Sequence, residues 1–364
     1  MKIAQVAPLY ESVPPKLYGG TERVVSYLTE ALVADGHDVT LFASGDSETA
    51  ARLIPACPRS LRLNNHQCTD NLAHHFVMLE EVLERADRFD IIHFHVDYLH
   101  FPLSKLSGLV HVSTLHGRLD SPDLVPLFRK YKGMPLTSIS INQRKPLPWV
   151  NWVGNVYHGL PEDLLAPGGG RGKYLAFLGR ISPEKRVDRA IEIAKQLNMP
   201  LKIAAKIDPA DRLYYEKEIK ALLNTPNVEF VGEINEQQKA AFLGDAYAYL
   251  FPIDWPEPFG LTMIEAMACG TPTIAFNRGS VPEVITNGVS GFVVDTVEEA
   301  VNAVRQAAKF DRTACRAEFI KRFSAPKMAQ DYTKLYEMIL TAKSAAPDSA
   351  SAARDTEIDS LLTH

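Results

Sequence analysis

The chain has 364 residues, of which 46% are hydrophobic and 23% charged, with a formal net charge of -5 at pH 7. That length points to two domains, and that composition to a globular protein able to bury a sizeable core. The acidic balance argues against nucleic-acid binding, which needs a dense cationic surface to release counterions.

The first unit reads as strand, loop, helix and strand. KIAQVA (Lys2 to Ala7) is a short apolar strand. Its start, MKIAQVAPLY, has one Lys and a run stopped by Pro8, too short for a signal h-region. In the next segment Val24, Val25, Leu28 and Leu32 share a helical face, Thr21 is placed to cap the start, and Gly36 to end it. Strands follow at VTLFAS (39–44), DIIHFHV (90–96), HVSTLH (111–116) and LTSISI (136–141). Around residue 165 the pattern breaks at APGGGRGK, read as a Gly-rich linker. It resembles a phosphate-binding P-loop only superficially. Pro167 stands where the first Gly should be, Tyr174 replaces Ser/Thr, and the segment precedes a strand instead of following one.

Alternation then resumes. YLAFLGR leads to the helix VDRAIEIAKQL, and LKIAAK to the helix RLYYEKEIKALL. VEFVG, AYAYLFPI and PTIAF continue the series. Strands alternating with helices imply parallel sheets covered on both faces, hence two α/β domains. A last amphipathic helix spans 324–343, and the Ser/Ala-rich residues 344–364 read as a disordered tail. Cys57, Cys68, Cys269 and Cys315 form no CxxC pair. They give no disulfide framework or zinc site and fit a reducing cytosol. No stretch approaches the ~18 apolar residues of a membrane span.

Chemistry concentrates at a few loops. EPFGLTMIE (257–265) follows the strand AYAYLFPI, and Pro256 and Pro258 force an extended approach. Gly260 permits a tight turn into a helix whose unpaired N–H groups and dipole favour an anion. Glu257 before that helix and Glu265 one turn inside it can face one ligand from two sides, with the amides of Phe259, Gly260 and Leu261 to hold its phosphate; taken alone, the pair reads as a solvated acid at a helix start and another on its surface. Carboxylates suit sugar and ribose hydroxyls because they accept charge-assisted hydrogen bonds. YGGTE (18–22) sets Gly19 and Gly20 before a helix, where backbone approaches a phosphate closely. Arg180 and Lys185, in FLGRISPEKR, lie just past the first strand of the second domain, where open α/β sheets bind ligands. His116 ends the strand HVSTLH at the same kind of edge. His93 and His95 are read as structural.

These segments, in this order and spacing, resemble the E-x7-E block and accompanying landmarks (GGTE, TLHG, FLGRISPEK) of the retaining glycosyltransferases of family 4. The resemblance covers residues 1 to about 340. It implies a GT-B architecture: two Rossmann-like domains with parallel sheets facing across a cleft. An acceptor domain would span 1–160 and a nucleotide-sugar domain 161–323, with helix 324–343 crossing back to the first. By the same resemblance, Glu265 holds the ribose hydroxyls and Glu257 the transferred sugar. Phe259, Gly260 and Leu261 line the donor, Arg180 and Lys185 neutralise the diphosphate, Gly19 and Gly20 approach it from the other domain, and His116 orients the sugar.

The expected activity is retaining transfer of a hexose from a nucleotide sugar to the hydroxyl of a sugar, lipid-linked or small-molecule acceptor. Family frequency favours a UDP-sugar. No cofactor is expected, and the absence of any Asp-x-Asp means that no divalent metal is required. FRKYKG (128–133) offers at most peripheral contact with an anionic membrane, and the location implied is cytoplasmic. One departure is visible: where the family often has Asn-Gly after the last strand of the first domain, this chain has His158 before Gly159. The alternatives are another GT-B enzyme, such as a nucleotide-sugar epimerase or a phosphorylase, and a non-catalytic sugar- or nucleotide-binding protein.

Overall fold

The computed structural model describes residues 1–16, 19–62 and 68–345. Tyr18 of the YGGTE segment and tail residues 346–364 lie outside the described residues. The first sheet is built from β1 (Lys2–Val6), β2 (Asp38–Ser44), β3 (Arg52–Cys57), β4 (Ile91–Phe94), β5 (His111–Thr114), β6 (Leu136–Ser138) and β7 (Trp152–Asn155). Its order is β3-β2-β1-β4-β5-β6-β7, all parallel. The second holds β8 (Leu175–Arg180), β9 (Leu201–Lys206), β10 (Val228–Gly232), β11 (Ala248–Phe251), β12 (Thr273–Phe276) and β13 (Gly291–Val294). Its order is β10-β9-β8-β11-β12-β13, also parallel throughout.

Strands buried on both faces need continuous apolar runs, and the central ones have them: β4 reads IIHF and β11 AYLF, with every residue buried. In each sheet the strand order reverses beside the first strand, between β1 and β4 and between β8 and β11. Such a switch point opens a crevice at the carboxyl edge. Two edge strands escape a reading by apolar pattern. β3 carries Pro55, tolerated because an edge strand has one unpaired side, and all four residues of β7 are only half-buried.

Three local expectations differ from the structure. The first helix begins at Gly20 with Gly19 as its N-cap, so Thr21 lies inside the helix and no side chain caps it. Gly19 is needed for close packing, since a Cβ there would lie 2.8 Å from Cβ of Pro15. The segment RLYYEKEIKALL is a single α-turn followed by a π-turn (Tyr215–Ile219) and a 3-10 turn (Leu222–Asn224). In it Leu213 and Leu222 stay exposed while Ile219 is buried. The last helix runs from Ala325 to Ala345, two residues into the expected tail.

The glycine-rich stretch is no free linker. N–H groups of Gly168, Gly170 and Gly172 donate to the carbonyls of Cys269 (3.0 Å), Gly244 (3.0 Å) and Asp245 (2.8 Å). Arg312 donates to the Gly168 carbonyl at 3.2 Å. Its glycines let backbone lie on backbone: a Cβ on Gly168 would lie 2.1 Å from the Gly244 carbonyl oxygen. The chain passes between the domains at Leu160 and again at Ser324, and the two passages are hydrogen-bonded. Leu160 N–H donates to Phe323 (2.9 Å) and Ala325 N–H to Leu160 (2.7 Å). Gly159 permits that approach, since a Cβ would stand 2.4 Å from the Ser324 carbonyl oxygen. The terminal helix then packs against the first one, burying Met328, Tyr332, Leu335 and Tyr336 in the same cluster as Leu28 and Leu32.

Candidate active site

The carboxyl edges of the two sheets face each other across a cleft of about 1150 Å³. In the second domain the loop after β11 turns into the helix Leu261–Ala268 at Gly260, whose backbone is left-handed (φ 83°). A side chain there would be strained, and its Cβ would lie 2.7 Å from Cε of Met263. The loop is pinned on both sides. Ser140 Oγ of the first domain donates to the Pro258 carbonyl (2.7 Å) and Ser280 Oγ to that of Phe259 (2.8 Å). The Phe259 ring is 2% exposed and packs edge-on to His158, so this residue meets the cleft mainly through its backbone.

Two ion pairs organise the acids of this loop. Glu265 is 2% exposed. Its Oε1 accepts from Lys239 Nζ at 2.7 Å, while its Oε2 is buried without a partner. Burial would lower the Lys239 pKa, but Glu265 and Glu236 outweigh it and hold the amine above its ordinary value. Glu257 Oε2 accepts from Lys185 Nζ and from Trp255 Nε1 (3.1 Å). Lys185 lies over the rings of Trp255 (5.0 Å) and Phe251 (5.6 Å). Arg180 is held by Glu184 (2.9 Å) and more loosely by Asp211 (3.5 Å). Its charge is therefore shared with two acids, which its sequence context did not suggest.

The first domain contributes Gly19, Gly20 and His116. His116 follows β5. Its Nε2 lies 2.9 Å from Nδ1 of His95, its ring stacks on His158 at 5.2 Å, and its Nδ1 is buried without a partner. Burial lowers its pKa to about 3, so it is neutral throughout the physiological range. His95, read from the sequence as structural, lines the same cleft and is in hydrogen-bond contact with His116. Asp97, in the loop after β4, has a left-handed backbone (φ 51°) and lines the same wall. Desolvation pushes its carboxyl up to about 6 although it opens to the cleft.

All ten residues singled out from the sequence line this one cleft: Gly19, Gly20, His116, Arg180, Lys185, Glu257, Phe259, Gly260, Leu261 and Glu265. A bridge of charges also joins the two walls. Arg23 of the first domain pairs with Glu236 of the second at 2.6 Å, and Glu236 with Lys239 at 3.4 Å, so the chain of charges ends on Glu265. Nothing local marks these residues, which read as the polar faces of two helices. Of the FRKYKG segment, Phe128 is fully buried, which leaves Arg129, Lys130 and Lys132 at the surface. Among the described residues no helix is long and apolar enough to cross a membrane.

Comparison with known proteins gives consistent matches along the chain. A model described as glycosyltransferase family 4 matches residues 18–160, and one described as glycosyl transferases group 1 matches residues 169–322. Glycogen synthase of Mycobacterium tuberculosis is 27% identical over 80% of this chain and 81% of its own. Among solved structures, sucrose-phosphate synthase of Thermosynechococcus elongatus superposes with a TM-score of 0.74 at 20% identity, covering 94% of this chain and 100% of that one. Anabaena HepE, solved in complex with UDP and glucose, superposes with a TM-score of 0.69 at 18% identity, covering 93% and 100%.

Proposed function

The chain belongs to the family 4, group 1 glycosyltransferases and has their GT-B fold, and from that premise we propose that it moves a hexose from a nucleoside-diphosphate sugar, a UDP-sugar by preference, to an acceptor hydroxyl with retained anomeric configuration. The observation that carries this reading is the meeting of Lys185, Glu257, the Gly260 turn and the lone oxygen of Glu265 on one wall with Gly19, Gly20 and His116 on the other. HepE, with UDP and glucose bound, has the same fold.

Each group has a task on this reading. The nucleoside lies on the second domain, and a ribose O–H satisfies the buried Oε2 of Glu265. Backbone N–H groups at the start of helix Leu261–Ala268 face the diphosphate. Lys185 and Arg180 stabilise the negative charge that grows as the glycosidic bond breaks. The acceptor hydroxyl attacks the face that the diphosphate leaves, and the leaving phosphate takes its proton. Glu257 is engaged by Lys185 and Trp255, which suits it to hold a sugar hydroxyl, not to act as a covalent nucleophile.

Two expected results test the reading. Glu265→Ala weakens nucleoside diphosphate and donor alike by about 1.5–3 kcal/mol, the worth of a charge-assisted hydrogen bond. Calorimetry with UDP reads this directly. Because the variant leaves Lys239 with Glu236 alone, Glu265→Gln is measured beside it. Unchanged affinity in both folded variants rejects the ribose contact. Turnover is also expected to survive EDTA, since Lys185 and Arg180 supply the charge a divalent ion would bring. Activity lost in EDTA and restored by magnesium or manganese overturns that.

A further inference from the structure

A continuous hydrogen-bonded chain runs from the terminal helix through the first sheet to His116. Tyr336 OH lies 2.7 Å from Nδ1 of His93 and accepts from Gln5 Nε2 at 3.2 Å. Gln5 Oε1 lies 2.8 Å from Nε2 of His95, and His95 Nδ1 lies 2.9 Å from Nε2 of His116. His93 Nε2 closes a side branch at Thr114 Oγ1 (2.7 Å), which meets Tyr332 OH at 2.8 Å. Gln5, His93, His95, Thr114, Tyr332 and Tyr336 are all at most 2% exposed, so bulk solvent does not compete for these groups.

The polarity of this chain can be worked out atom by atom. The Gln5 carbonyl only accepts, so His95 Nε2 carries the hydrogen. A neutral imidazole has one N–H, so His95 Nδ1 is bare and accepts. His116 Nε2 must then donate to it, which leaves His116 Nδ1 bare. Reversing the whole chain would place an N–H on His116 Nδ1, which is buried without a partner. A buried donor left unmade is rarer in proteins than an under-used acceptor, so the first polarity is favoured. Burial holds His93, His95, His116 and His158 neutral, which the scheme requires.

We infer that Gln5 is a positioning residue: through His95, and with its own amide held by Tyr336, it fixes His116 as the Nε2–H tautomer and holds its ring in one orientation at the cleft wall. Given the donor site proposed above, a His116 ring held in one tautomer keeps the wall fixed where the sugar would lie. The terminal helix, which follows the second domain in the chain, thereby reaches the catalytic wall of the first.

The test uses the full chain labelled with 15N at histidine, observed through long-range nitrogen–carbon-bound-proton correlations. His116 is assigned by its loss in His116→Gln. In the unmodified protein the expected His116 pattern is a protonated Nε2 and a bare Nδ1; a protonated Nδ1 overturns the inference without any variant. Gln5→Leu removes the acceptor, and His116 is expected to populate both tautomers. Gln5→Glu keeps an acceptor and retains the single tautomer. If Gln5→Leu does not fold, Tyr336→Phe frees the amide to rotate and gives the same mixing. A folded Gln5→Leu or Tyr336→Phe protein with an unaltered His116 pattern sinks the proposal. Acceptor-free hydrolysis of UDP-glucose is read in parallel, with a fall of at least about tenfold expected for Gln5→Leu, since a wrong tautomer costs a catalytic triad ~10⁴. An unmodified protein that shows the tautomer but ignores UDP-glucose rejects the donor reading and leaves the relay standing.

Discussion

Lys185→Ala is expected to bind nucleotide sugar almost normally and to turn it over about 100- to 1,000-fold more slowly, the cost of removing one preorganised group that stabilises transition-state charge. The proposed reading gives the ammonium that task, and its surroundings hold it in place. Trp255 and Phe251 flank it, Glu257 fixes it, and it stands at the carboxyl edge of β8 beside the Gly260 turn. On the proposed reading the diphosphate of the bound donor already carries negative charge, and a further unit develops on it as the bond breaks. An interaction that strengthens along that coordinate lowers the barrier, whereas one of constant strength only tightens binding. The variant also strips Glu257 of its cation and leaves it Trp255 alone. Glu257→Gln with Lys185→Ala therefore separates the loss of the ammonium from the cost of an unpaired acid. Arg180→Ala should follow in the same direction, tempered because Glu184 and Asp211 already hold the guanidinium. Single-turnover rates with donor titration decide the matter. A Lys185→Ala protein with normal kcat and a raised KM assigns the residue to binding alone.

His116→Ala is the second large effect. On the proposed reading the nucleotide rests on the second domain and His116 reaches the sugar from the first. Nucleotide affinity by calorimetry should therefore stay within about twofold of the unmodified value, and transfer should fall by roughly 100-fold or more, the usual cost of misplacing reacting atoms by ~1 Å. The ring also carries a stacking contact with His158 and a hydrogen bond to His95. Removing it opens a space beside the relay, so His116→Asn and His116→Gln are needed beside it. A folded variant that transfers near-normally would make His116 a packing residue.

Much of this molecule could be read along the chain. The alternation of strand and helix follows from hydrophobic periodicity, a property of a few consecutive residues. It placed β1, β8, β9 and β12 and the helix Val187–Leu197 within a residue or two. Parallel strands then dictate where loops go. The segment after β1, β5, β8 or β11 must emerge at a carboxyl edge, so glycines, acids and cations quoted from those loops end in one cleft. Sheet edges were harder: β3 and β7 have one side to solvent or to loops and lack a clean apolar run.

The repeating α/β pattern and the residues delivered to the carboxyl edges are legible along the chain, because both depend on near neighbours in it. Tertiary structure alone decided the partners. Lys185 meets Glu257 across 72 positions and Gln5 meets Tyr336 across 331, while Arg23 finds Glu236 across the cleft. It also turned a glycine-rich stretch that resembles a linker into a strap, since whether glycine means freedom or close contact depends on what backbone lies opposite. The physical reason is that hydrogen bonds and ion pairs act over a few ångströms of space, and only folding sets which distant residues come that near.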